Sequence, residues 1–156
     1  MPIDRDLTAF MESPVMIIIG TCDDLLLPQI GRAAGAVAHA TEGRVDLIVS
    51  SWQWPATVAN VRENGRLSAT FARPSDYVSY QVKGRASVVP AAAEHRTHAK
   101  HYIEAMTSTL VALGLDPRVA APWFAGREPV VLSLSVEAVF VQTPGDQAGQ
   151  MLERRP

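Results

Sequence analysis

Arg32 stands between Gly31 and the run Ala33-Ala34-Gly35, so a guanidinium is surrounded by residues that offer it neither bulk nor opposite charge. Further along, Ser50 and Ser51 precede Trp52-Gln53-Trp54-Pro55-Ala56-Thr57, a stretch rich in hydroxyls with a proline suited to a first helical turn. A guanidinium, hydroxyls and a helix start together make a ready anion site, because free N–H groups and charge-assisted bonds converge on the same oxygens. On this pattern alone Arg32 serves equally well as a surface or dimer-interface charge. Trp52 and Trp54, two residues apart, share one face of an extended segment, where they seal an interface or pack in the core. Gln81, Lys83 and Arg85 alternate with apolar residues, and the simplest role of that polar side is a solvated face.

Other chemistries find little support. His95, His98 and His101 fan around a helix at 100° per residue instead of converging as the i, i+4 zinc pattern does, so a structural role is the simpler reading and no metal ligand is named. There is no Ser-His-Asp order, Walker loop, CxxC pair or dinucleotide glycine fingerprint. The single cysteine, Cys22, cannot form an internal disulfide and reads as a small buried apolar group.

The elements that would position these residues follow from hydrophobic period. A short amphipathic start at 7–11 ends at Pro14, and the β-branched run 15–19 reads as a buried strand. Residues 28–39 hold two glycines and almost no bulk, which favours a second strand approached closely by a ligand or a partner chain. Glu42-Gly43-Arg44 turns the chain into a third strand at 45–51, and a short helix at 57–62 stops at Asn64-Gly65. Strands follow at 67–71 and 77–88, the latter with even-numbered residues inward from Val78 to Val88. A helical period over 94–113, a loop holding Pro117, Pro122, Trp123 and Phe124, and a strand at 130–141 complete the pattern. Six strands with about two helices in this order predict a mainly β, mostly antiparallel α+β protein.

Size and composition set the outer bounds. A chain of 156 residues fits one domain spanning 1–156, and 47% hydrophobic with 19% charged residues is ordinary for a globular protein. A net charge of −2 argues against a surface built for nucleic acid or anionic lipid, so any bound phosphate must be held locally. The longest apolar run is far short of the roughly 20 residues of a membrane span. An acidic first segment unlike a secretory signal predicts a cytoplasmic protein.

Taken in order, Arg32, the 50–57 stretch, Asn60-Val61-Arg62-Glu63-Asn64-Gly65, Arg73-Pro74-Ser75-Asp76 and Tyr80-Gln81-Val82-Lys83-Gly84-Arg85-Ala86 resemble the FMN-binding split barrel of the pyridoxamine 5′-phosphate oxidase-related proteins, over about residues 10 to 145. The resemblance implies a homodimer with FMN between subunits. It further implies that Arg32, with Ser50, Ser51 and Thr57, clamps the phosphate, and that Gln81 lies near the flavin; Trp52 and Trp54 then become candidates to wall it. Departures are specific: Val37 and Thr57 stand where oxidase members carry basic residues, and the tail from Gln142 to Gly149 lacks the oxidase tryptophan and arginine. Vitamin B6 oxidation is therefore not implied.

The resulting expectation is an FMN-dependent oxidoreductase of unknown substrate, in which the flavin does the redox chemistry and no side chain is named as catalytic. Two further possibilities stay open: a deazaflavin-dependent reductase, and a non-enzymatic flavin or haem-binding dimer in which a single His ligates haem. The dimer rests also on the chain itself, since a strand without bulk at 31–38 needs cover. Sedimentation at micromolar concentration should give twice the chain mass; a monomer would contradict this expectation.

Overall fold

The computed structural model of the chain describes residues 3–152. Its elements run α1 (Arg5–Glu12), β1 (Met16–Cys22), β2 (Pro28–Arg32), β3 (Ala36–His39), β4 (Arg44–Ser50), α2 (Pro55–Asn64), β5 (Arg66–Ala72), β6 (Ser79–Pro90), α3 (Ala93–Ala112), α4 (Pro117–Ala120) and β7 (Pro129–Val141). The strands form one seven-stranded antiparallel sheet in the order β2-β1-β5-β6-β7-β4-β3. The α+β class is as expected, but the strand count is seven and not six, because the expected strand at 28–39 is broken in two.

The break has a physical reason. β2 pairs with β1, whereas β3 pairs with β4 at the opposite edge of the sheet. Between them the Ala33 N–H donates to the Ile17 carbonyl at 3.1 Å, the Ala34 N–H to the Ile48 carbonyl at 2.7 Å, and the Ile48 N–H to the Gly35 carbonyl at 3.0 Å. Residues 33–35 thus pass from one edge to the other, and the sheet closes on itself through this bridge. Gly35 has φ +127°, and a Cβ there would lie 2.9 Å from the His98 ring, so only glycine fits under α3.

The bareness of this segment is met within the chain. Gly31, Ala33, Ala34, Gly35 and Ala36 are all buried, with Thr57 of α2 packed against Gly31 and His98 and Tyr102 of α3 against Gly35. The Tyr102 hydroxyl donates to the Val15 carbonyl at 2.6 Å and fixes α3 on this side. The need for a partner chain over 31–38 therefore falls away, and with it that argument for a dimer.

Inside the barrel, Ile17, Ile19, Val45, Leu47, Ala69, Phe71, Val82, Leu132 and Leu134 are buried to within a few per cent. Val82 buried beside exposed Lys83 confirms the predicted register of β6. Gly84 marks a bulge: a Cβ there would sit 1.9 Å from the Ser135 carbonyl oxygen. At one end α1 lays Leu7 and Met11 into the core, and Phe10 meets Tyr80 edge-on at 5.2 Å. At the other end α2 contributes Val58 and Val61, while Asn60 Nδ2 donates to Thr21 Oγ1 at 3.1 Å. Capping follows local chemistry, with the Asp4 side chain accepting the Asp6 and Leu7 N–H groups and Gly65 ending α2 in the left-handed region. No helix among the described residues is long and apolar enough to cross a membrane.

One buried charge has a full set of partners. Asp46 accepts hydrogen bonds from Arg44 Nη1 at 2.5 Å and Ser133 Oγ at 2.8 Å, and its other oxygen lies 3.0 Å from His39 Nε2. Burial alone would raise its pKa, but the bonds from Arg44, Ser133 and His39 outweigh it and hold the carboxyl below its usual value. A depressed folded pKa gives stability that is present above the unfolded carboxylate pKa and lost as pH falls through the folded one. Asp46→Ala should therefore cost about 1–3 kcal/mol at neutral pH. Urea titrations should show the gap to wild type closing as pH is lowered below about 4.

Candidate functional site

The register of the sheet sets one transverse row of residues across its outer face. Arg32 of β2 lies opposite Ile18 of β1, Ile18 opposite Thr70 of β5, Thr70 opposite Gln81 of β6, and Gln81 opposite Phe140 of β7. Directly paired residues point to the same side, and the neighbours Ile17, Ile19, Ala69, Phe71 and Val82 fill the interior. All members of the row are half-buried. Gln81 Nε2 donates to Thr70 Oγ1 at 3.1 Å, which fixes the amide and turns its carbonyl away from that hydroxyl.

Arg32 ends this row in an unusual state. Its Nη1 is buried with no hydrogen-bond partner, alone in this among the buried side-chain polar atoms of the described residues. No ion pair of the described residues includes it. Its guanidinium carbon lies 4.9 Å from the centre of the Trp123 ring. Cation–π attraction is worth about 0.5–2 kcal/mol. An unsatisfied buried donor costs about 1–3 kcal/mol, and more when charged, so the stack does not offset the loss. Close by, burial pushes the Tyr102 phenol above its ordinary pKa, with the Arg32 charge opposing, and Tyr102 stays a neutral donor to Val15. The arrangement is a preformed cation with a flat aromatic wall and no anion.

The other residues singled out by sequence are placed differently. Ser50 is buried, donating from Oγ to the Arg127 carbonyl at 2.6 Å and accepting the Gln53 N–H at 3.2 Å. Ser51 Oγ donates to the Glu128 carbonyl at 2.8 Å. Both hydroxyl protons are thus used to hold the loop before β7. Thr57 is buried beneath Gly31, where a Cβ would come within 2.5 Å of its Oγ1. Since neighbours on a strand face opposite sides, Thr57 and Arg32 lie on opposite sides of β2. That position has no room for the basic side chain of the oxidase pattern.

The shared face expected of Trp52 and Trp54 does not form, because residues 51–53 make a turn and not an extended segment. Trp52 is 52% exposed, with the Arg127 guanidinium 4.7 Å from its ring, while Trp54 is half-buried against the core at the start of α2. His95 accepts the Ala92 N–H at 2.9 Å and caps α3, His98 packs on Gly35, and His101 is exposed. Trp123 is the residue that sequence reading missed as a site member. Gln53 Nε2 positions its segment by donating to the Pro122 carbonyl at 2.7 Å. The aromatic pair Trp123-Phe124 inside a loop was the available signal.

A cleft of about 990 Å³ lies elsewhere, between α1, the turn before β6 and the segment after β7. Its one arginine, Arg73, is already paired with Asp76 at 2.8 Å. We therefore place the candidate site at Arg32, where a charge is unanswered, and not in that cleft.

No protein-family model matches the chain, and no curated protein matches it in sequence. Solved structures do match. HupZ of Group A Streptococcus is 18% identical with a TM-score of 0.59, covering 94% of this chain and 99% of its own. A protein related to general stress protein 26, of the pyridoxinephosphate oxidase family, from Clostridium acetobutylicum is 12% identical with a TM-score of 0.57, covering 95% of this chain and 92% of its own. HutZ, the haem storage protein of Vibrio cholerae, is 16% identical with a TM-score of 0.52, covering 90% and 95%. The chain shares the pyridoxamine 5′-phosphate oxidase-like fold.

An unanswered cation should lower the stability of the ligand-free protein. Arg32→Met keeps the length of the side chain and removes the charge, so the variant should be more stable than wild type by about 1 kcal/mol in urea unfolding. A loss of stability instead would mean that the guanidinium is satisfied in the folded chain.

Proposed function

We propose that this chain binds FMN on the outer face of its sheet, with Arg32 as the phosphate ligand, and acts as a flavin-dependent oxidoreductase of the pyridoxamine 5′-phosphate oxidase-like group. The observation that carries this reading is the buried, unpartnered Nη1 of Arg32 stacked on Trp123. A planar guanidinium with free donors matches two oxygens of a phosphate, and an indole beside it suits a flat aromatic ligand. Bound flavin would supply the redox chemistry. Arg32 would anchor it, Gln81 and Thr70 would orient a polar ring edge, and Ile18 and Phe140 would exclude water. Ser50, Ser51 and Thr57 support the scaffold in this scheme and do not contact the phosphate.

The second reading is a haem-binding protein, favoured by the likeness to HutZ and by the fact that Arg32 would pair equally well with a propionate. The homodimer is part of the proposal on a different surface from the one first expected. Leu25, Leu26, Leu27 and Ile30, between 60% and 81% exposed, gather at the β1–β2 hairpin beside the row that ends in Arg32.

Titration of flavin fluorescence separates these readings. Charge-assisted bonds of about 1.5–3 kcal/mol imply that Arg32→Ala weakens FMN by about ten- to a hundredfold. Equal binding by wild type and Arg32→Ala removes Arg32 from the site. A Soret band in the purified protein, with no flavin bound by either, moves the assignment to haem.

A further inference from the structure

A second unanswered charge lies on the same outer face. Arg66, Lys83 and Arg85 line a shallow cleft of about 450 Å³ together with Gly20, Ser68 and Glu137. The ladder sets Arg66 directly opposite Arg85, and Ser68 opposite both Lys83 and Gly20. Side chains paired in this way stand about 4.5–5.5 Å apart at Cβ, where like charges repel. Ordinary sheets avoid that placement or neutralise it with a neighbouring acid. Here no ion pair among the described residues includes Arg66, Lys83 or Arg85, and Glu137, the carboxylate of the cleft, pairs with none of them.

What holds the cations in place is not opposite charge. Arg85 Nη1 donates to the Asn64 carbonyl at 2.9 Å, and Lys83 Nζ sits 4.8 Å from the centre of the Phe140 ring. Both contacts leave donors free to face outward. Along β6, Lys83 and Arg85 are two residues apart, about 7 Å at the usual strand rise. The span suits two linked phosphates better than one. Three cations against one carboxylate leave a local charge near +2, which an anion of that size would answer.

We propose that this cleft binds a diphosphate group, as pyrophosphate or as part of a nucleotide, at a site separate from that of Arg32. Lys83 lies two residues beyond Gln81 on the same face, so a nucleotide seated there would extend alongside the Arg32 row. The inference goes beyond the flavin assignment and does not depend on it, because the lining of the cleft includes none of Arg32, Ile18, Thr70, Gln81 and Phe140.

Calorimetric titration of flavin-free protein with pyrophosphate, ADP and adenosine at physiological salt tests the proposal. Both anions should saturate near one per chain, and adenosine should give no heat. Arg66→Ala and Lys83→Ala should each weaken binding by about tenfold. Arg66→Glu combined with Lys83→Glu should abolish it, with the melting temperature preserved and Arg32→Ala without effect. Tighter binding of ADP than of pyrophosphate assigns the nucleotide, and equal binding assigns the free diphosphate. No saturable binding of either anion, or binding that survives the double charge reversal, overturns the proposal.

Discussion

The bridge at residues 33–35 is the constraint on which the rest of this structure depends. Three consecutive residues must bond to β1 on one side and to β4 on the other while α3 lies directly upon them. Side chains of any size would separate the strands or lift the helix, and Ala-Ala-Gly is what satisfies both demands. Because the closing bonds come from the backbone, they bring the two edges of the sheet together around an interior of ordinary aliphatic residues. Arg32 is the last residue before the bridge, held in register with Ile18 while the chain beyond it leaves β1.

Two basic groups near the interior show how differently one chain can treat a charge. Arg44 belongs to a network in which Asp46, Glu42, Ser133 and His39 answer one another, and its effect is to lock β3, β4 and β7 together. Arg32 has an aromatic wall and an incomplete set of bonds. The first arrangement stabilises the fold; the second leaves a buried donor without a partner and costs stability. Local conflict of that kind, in a scaffold otherwise consistent at every level, is what makes Arg32 the candidate binding group and Arg44 a structural one.

Alternation and turn chemistry made most of the scaffold legible. The polar and apolar sides of β6, the helical stripe of α3 with Tyr102, Met106 and Leu110 inward, and the stops at Gly43 and Gly65 all follow from local pattern. The split of β2 from β3 was not legible, because small residues carry no period and the break is decided by which distant strands supply the partners. Arg32 was visible as an isolated cation, but Trp123 lies far along the chain and nothing local connects them. Ser50 and Ser51 looked available because their acceptors, the carbonyls of Arg127 and Glu128, have no side-chain signature. Backbone acceptors are invisible to any argument from residue type.

The place of β7 in the sheet has a consequence for how the protein is made. It is the last of the described strands, yet it lies between β6 and β4, contributing a ladder to each. Until it has been synthesised, those strands present open edges to water, to chaperones and to one another. Closure of the bridge depends on β4, which has no neighbour on its other side until then. A ribosome translating this message therefore carries a chain that cannot complete its barrel before residues 129–141 emerge.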